Sequence, residues 1–290
     1  MATGAVEGRK KTAPDRPRWV ADLGTLAVIF GLLGSVYLLP SDSSYAELER
    51  SGRLNVCMPT LYPPLVTGDP AAPGFDVELM GLIAKQLDVT LSVLPNAAMA
   101  NDFNPRSWRV TRAQCQVLAG GIALTRPVLS YLDSTEAYLS TGWAVVTKTR
   151  LDSLEGKTVG FYAGLTGLDR VALSRSLRAA GIRARIVNTP AALAAGIDDG
   201  TFDAGISEAL TARQIAGAND WVVAWAPGNE ERYPIGIGLW KGDLTLKRQI
   251  VGALNALEAD GSVATLKQKY DIADIDFILG DDVAPAPDLE

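Results

Sequence analysis

From Leu54 to Tyr270 the chain alternates short apolar runs with segments whose apolar residues recur at helical spacing. That alternation leaves few folds open. Parallel strands need a long crossover, and a helix is the crossover that also covers the face of the sheet. The strand-like runs are "RLNVCM", "VTLSVL", "CQVLAGG", "GKTVGFY", "RARIVN", "FDAGIS" and "YPIGIGLW". Between the first two, residues 75–87 set Phe75, Leu79, Leu82, Ile83 and Leu87 on one helical face. Asp76 and Glu78 fall in the first turn, where the helix dipole favours acids. Further helices are expected over 168–180, over 189–200, from Glu208 onward, and as a pair after Leu244 divided at Gly261. The expected fold class is α/β, with a second unit starting near Thr147.

One of these strands ends unusually. "LAGGIALTRP" runs into Gly120 and Gly121 and then opens a helix at Thr125, Arg126 and Pro127. In open α/β folds, small polar ligands sit beyond the carboxyl ends of parallel strands, where helix N-termini present unpaired N–H groups. Glycine allows close approach of a ligand to the backbone there. "AGLTG" at 163–167 repeats the same strand, turn and helix order in the second unit. The plainer reading of Gly120 and Gly121 is strand–helix packing, and that of Thr125 is a helix N-cap.

Composition removes whole classes of chemistry. The chain has no histidine, so Ser-His-Asp and Cys-His catalysis are out, as is the commonest metal ligand. Cys57 and Cys115 are too few for a closed zinc site. They are read as small buried hydrophobes, although one disulfide is arithmetically open. A net charge of −6, with no basic run beyond the first eighteen residues, argues against nucleic acid. No cofactor or metal is expected.

Residues 19–39 carry one charge, Asp22, and the uncharged part, 23–39, would span roughly 25 Å as a helix at about 1.5 Å per residue. Arg9, Lys10, Lys11, Arg16 and Arg18 precede it, which places the first eighteen residues in the cytoplasm and everything after Leu39 outside. The alternative is a signal peptide cut after Ala46. At the other end, residues 276–290 are acidic and rich in Pro and Ala, and are expected to be disordered.

Six stretches in order resemble the bacterial extracellular solute-binding proteins of family 3, the amino-acid-type periplasmic receptors of ABC importers. They are "GRLNVCMPTLYPPL", "GFDVELMGLIAKQLDV", "LAGGIALT" with "LDSTEAYLSTGWAVV", "LEGKTVGFYAGLTG", "GTFDAGISEA" and "YPIGIGLWKGDLTLKRQIVGALNALEADG". The resemblance implies a two-lobed type II periplasmic-binding-protein fold that closes on its ligand. Lobe 1 would take 45–142 plus 241–275, and lobe 2 would take 147–236. The crossings would be "GWAVV" and "YPIGIGLW".

The resemblance also implies roles for individual residues. Tyr62 matches an aromatic that packs on the ligand. Gly120, Gly121 and Ala123 match positions that touch it. Thr125 and Arg126 join the candidate set, Thr166 matches a hydroxyl that holds the ligand carboxylate, and Glu208 matches the acid that holds its ammonium. One position departs from the pattern. The family places an arginine three residues after Thr125 to clamp the α-carboxylate, and here that residue is Val128. Either Arg126 takes over, or the ligand has no α-carboxylate. Trp108 is open between lining the cleft and filling the core. Asp198 and Asp199 read as a solvated helix end.

The function this implies is capture of a small polar, amino-acid-like solute for an ABC-type permease by a membrane-tethered domain on the outer face. A sensing ectodomain read by a membrane partner is the alternative. A third reading is an enzyme resembling cyclohexadienyl dehydratases, with Glu208 as its acid.

Overall fold

The computed structural model describes residues 18–36, 42–100, 104–151, 153–163, 168–226 and 232–272. Residues 1–41 and 42–290 form two separate units. In the first, α1 (Arg18–Val36) exposes Leu23, Leu26, Val28, Ile29, Phe30 and Leu32. Among the described residues no helix is long and apolar enough to cross a membrane. The apolar run of the sequence continues to Leu39, outside the described residues, where residues 1–17 of the cytoplasmic stretch expected over 1–18 and the tail expected over 276–290 also lie.

The second unit is α/β and built on two sheets. In chain order its first elements are α2 (Ser44–Ser51), β1 (Arg53–Pro59), α3 (Phe75–Gln86), β2 (Thr90–Asn96), β3 (Val117–Ala123), α4 (Arg126–Tyr131), β4 (Leu132–Ser134) and β5 (Leu139–Thr141). The middle elements are β6 (Trp143–Thr147), β7 (Thr158–Phe161), α5 (Arg170–Ala179), β8 (Arg183–Ile186), α6 (Pro190–Asp198), β9 (Ala204–Glu208), α7 (Ala209–Asn219) and β10 (Val222–Trp225). The chain ends with β11 (Tyr233–Trp240), α8 (Leu244–Ala259) and α9 (Ser262–Lys269).

The six-stranded sheet runs β2-β1-β3-β11-β4, with β5 also on β11, and the five-stranded sheet runs β10-β6-β9-β7-β8. The two segments read as crossings are β6 and β11, and they fall in different sheets. The chain therefore passes from one sheet to the other at Gly142, and returns between Trp225 and Tyr233.

The first sheet is covered on both faces, which is why β1 and β3 read as continuous apolar runs rather than alternating ones. Val56 and Met58 of β1 and Val117 and Ala119 of β3 join the main core with Phe75, Leu79 and Ile83 of α3. The side chains between them, Cys57 and Leu118, point the other way, into a second cluster with Met99, Trp108, Val110, Cys115 and Val128. Trp108 is thus a core residue.

The cysteines are not the separate thiols that the sequence reading favoured. Cys57 and Cys115 form a disulfide, with Cα atoms 5.6 Å apart. The reason is adjacency rather than register. β1 and β3 are neighbouring parallel strands, and Cys115, in the turn just before β3, enters the same apolar cluster as Cys57.

Further hydrogen bonds join elements around the two sheets. Arg213 of α7 donates to the Asp271 carbonyl and carboxylate, both at 2.9 Å, beyond the end of α9. The Asp169 amide, at the N-terminus of α5, donates to Tyr233 Oη on β11 at 2.9 Å.

Candidate functional site

The bare glycines at the end of β3 are occupied by the protein itself. Gly120 and Gly121 take φ of +92° and +84°, where side chains are strained. A Cβ on Gly120 would stand 2.5 Å from Pro59 Cδ, and one on Gly121 would stand 2.7 Å from Tyr62 Cε1. Both amides donate to Asp76 Oδ2, at 2.6 and 2.8 Å, and the Tyr138 hydroxyl donates to the same carboxylate at 2.8 Å. Asp76, in the first turn of α3, is 1% exposed. Burial lifts its carboxyl to about 6, against the lowering effect of Tyr138 and the two amides. Burial, and next the same carboxylate, pushes the Tyr138 phenol well up. Sequence reading gave Asp76 to the helix dipole; its partners lie 44 to 62 residues away.

Tyr62 sits in the loop after β1, where its amide and carbonyl pair with Val66. Its ring lies against Gly121, so the glycine is what makes room for it. The residue is 8% exposed and its hydroxyl has no hydrogen-bond partner. Burial, and next the charge of Glu208, push its phenol well above the ordinary range.

Glu208 ends β9 and caps α7, and it is fully buried. Oε1 accepts the Leu210 amide at 2.9 Å and Oε2 accepts the Thr211 amide at 3.2 Å. The Thr141 hydroxyl, from β5 of the other sheet, donates to Oε1 in a short bond. Burial raises its carboxyl, and these donors pull it back only in part. Trp143 is paired with Glu208 across β6 and β9, so the two side chains share a face. The Trp143 ring lies 5.5 Å from that of Phe161, and its Nε1 is buried without a partner. Tyr162, half-buried, is pushed up by burial; the Arg170 guanidinium lowers it and Glu208 raises it. Thr141, Trp143, Tyr162 and Arg170 carry no sequence motif that would have singled them out.

The remaining candidates divide. Ala123 is buried and paired with Ile235 of β11. Thr125 caps α4 by position but not by a side-chain bond, and its Oγ1 is buried without a partner. Arg126 is exposed and makes no hydrogen bond or ion pair with the described residues. Val128 is 2% exposed inside the cluster around the disulfide. Thr166 lies outside the described residues. Asp199 accepts the Thr201 amide at the end of α6, and Asp198 pairs with Lys148 at 2.9 Å, which makes both part of a surface cap. Among the described residues no group of three or more His, Cys, Asp or Glu could hold a metal ion.

The candidate site is therefore a buried carboxylate at the junction of the two sheets, bonded by Thr141 from the other sheet and sharing a face with the rings of Trp143 and Phe161. Known structures share the framework. An ancestral cationic amino acid solute-binding protein matches with a TM-score of 0.64 at 19% identity, over 79% of this chain and 99% of that one. An ancestral amino-acid-binding protein described as a precursor of cyclohexadienyl dehydratase matches with 0.60 at 20%, over 79% and 99%. A mutant of ArgBP from T. maritima matches with 0.58 at 23%, over the same shares. At these identities the likeness is one of fold. No curated protein matches by sequence. The family model of the bacterial extracellular solute-binding proteins, family 3, matches residues 54–272, and the chain belongs to that family.

Proposed function

We propose that the chain is a receptor that captures a small polar, amino-acid-like solute between its two halves and delivers it to a membrane partner of the ABC-permease type. One observation carries this reading: Glu208, fully buried at the junction of the two sheets, is held by amides and hydroxyls and by no described cation. A buried carboxylate without a cationic partner is costly unless something offsets it. A ligand ammonium, making charge-assisted hydrogen bonds in a desolvated cleft, does so. Tyr62, Ala123, Thr125 and Thr166 would line that cleft, with Gly120 and Gly121 shaping its floor through Tyr62. Arg126, exposed, would lie at its margin.

A tether would keep such a receptor beside its permease. The N-terminal apolar run to Leu39 would supply one, on the outer face of the cell membrane. The signal-peptide alternative meets an obstacle in α2. A cut after Ala46 would remove Ser44, which is buried and lies 3.0 Å from Thr245 Oγ1 of α8, and Asp42, whose carboxylate accepts the amides of Ser44 and Thr245. Membrane fractionation with an alkaline wash distinguishes the two: a tethered chain stays in the pellet.

The test of the receptor reading is a thermal-shift screen against amino acids, amines, polyamines, small carboxylic acids and amides. A ligand that binds only the folded state stabilises it by about 2.7 kcal/mol at a hundredfold excess over Kd. A shift that disappears in Glu208→Gln supports the reading. No shift with any class removes it, leaving the sensing ectodomain, whose partner is a protein. The enzyme reading draws on the raised carboxyl of Glu208, and turnover of prephenate or arogenate would establish it.

A further inference from the structure

Five arginines stand along one edge of the second sheet, and no described acid pairs with them. Arg170, Arg175 and Arg178 lie on α5, and Arg183 and Arg185 on β8, the strand that α5 leads into. All five are exposed. Arg178 donates to Ser174 Oγ at 2.8 Å and Arg183 to the Gly156 carbonyl at 3.3 Å, both neutral partners. The acids beside them are otherwise placed. Asp169 accepts the Val171 and Ala172 amides as the cap of α5, and exposed Glu155, near Gly181, pairs with none of the five.

β8 also lacks a neighbour on one side. It ends the five-stranded sheet, and among the described strands it pairs with β7 alone. Arg183 and Val187 donate their amides to Lys157 and Phe161, on the β7 side. Backbone groups alternate sides along a strand, so the N–H and C=O groups of Ala184 and Ile186 point to the open edge. All four residues of β8 are exposed, Ile186 by 79%. Such an edge is a template for a further strand.

We infer that this edge is the docking surface of the chain's own acidic C-terminal segment, residues 273–290, with 275–279 adding a strand beside β8. The charge matches: the segment carries Asp274, Asp276, Asp281, Asp282, Asp288 and Glu290, and no Lys or Arg. The residue types match as well. Ile275, Phe277, Ile278 and Leu279, with Asp276 among them, are free of Gly and Pro and suit a strand whose apolar side chains cover Ile186. The composition of 276–290 supplies no core of its own, so order there has to come from a surface.

Reach is not limiting. The described chain ends at Ile272, beside Asp271, which Arg213 of α7 bonds within the half that carries β8. Residues 273–290 would extend roughly 60 Å at about 3.3 Å each, whereas the sheet is about 20 Å wide at roughly 4.8 Å between strands. An attached segment also acts at an effective concentration on the order of millimolar. A lipid surface would match the charge, but it offers no backbone to an open edge. Docking seals β8 against pairing with other copies of the chain.

Hydrogen exchange read by mass spectrometry, on the full chain in neutral detergent, tests this. Changing Asp274, Asp276, Asp281 and Asp282 together to Asn should speed exchange over 184–187 at least tenfold. Arg183→Glu with Arg185→Glu should speed exchange over 275–279 by as much. Combining that arginine pair with the four aspartates changed to Lys should restore the slow exchange of both segments. Peptides from β6 and β9 report in each case that the fold is intact. Exchange over 184–187 that is indifferent to the tail variant overturns the inference. Shielding of 184–187 that appears only in nanodiscs containing phosphatidylglycerol, and survives the tail variant, assigns the arginines to lipid and overturns it too.

Discussion

Asp76 Oδ2 accepts the amide of Gly121 at 2.8 Å, so a carboxylate of the protein occupies the turn where a small polar ligand was expected. The glycine is needed for two reasons at once: its φ of +84° and the Tyr62 ring pressed against it.

Gly121→Ala should therefore destabilise the protein by about 2–4 kcal/mol, combining left-handed strain with overpacking. Urea unfolding measures it. A loss below 0.5 kcal/mol, on the order of an ordinary surface change, would show that the loop carrying Tyr62 yields freely.

Asp76 gives a pH signature. Its folded carboxyl titrates at about 6, above the 3.8 of an unperturbed aspartate. Because the folded value is the higher one, the folded state holds the proton more tightly. Its contribution is fully present below pH 3.8 and is lost as pH rises through about 6. Unfolding free energies across this window should fall with pH more steeply in the native chain than in Asp76→Asn. Parallel curves would refute the assignment.

Tyr62→Phe removes a buried hydroxyl that has no partner. Without ligand the variant should be as stable as the native chain or about 1 kcal/mol more so, since an unsatisfied buried polar group costs about 1–3 kcal/mol. A lower melting temperature would mean that the hydroxyl is bonded after all.

Reduction of Cys57–Cys115, or replacement of both by Ala, should cost about 2–4 kcal/mol, as expected for closing a loop with a sequence separation of 58. Thermal melts with and without reductant read it, and coincident curves would exclude a stabilising role.

Much of the architecture is legible in the sequence because it depends on local periodicity. Residues 75–87 were read as a helix and α3 ends one residue short of that, and "FDAGIS" anticipates β9. What local pattern could not convey is who bonds to whom. Asp76 looks the same whether it serves a helix dipole or two glycines in a distant strand. Glu208 likewise reads as a helix-start acid, and it is one; its burial, its bond to Thr141 and its neighbour Tyr62 come from residues far away in sequence. The disulfide was missed because strand character argued for two separate hydrophobes, whereas the adjacency of β1 and β3 joins them. β10 and β5, both short and paired antiparallel, gave no periodic signal long enough to register.

The staple between β1 and β3 also bears on when the molecule becomes functional. These strands end at Pro59 and Ala123, beside the Tyr62 loop and the two glycines, so the link stiffens the floor of the cleft. Such links form and persist outside the reducing cytosol. A chain still awaiting export would have its first half incompletely locked, and only a chain that has crossed the membrane would be fully armed. On the receptor reading, the crosslink would work as a checkpoint on address, completing the receptor only where solute is to be collected.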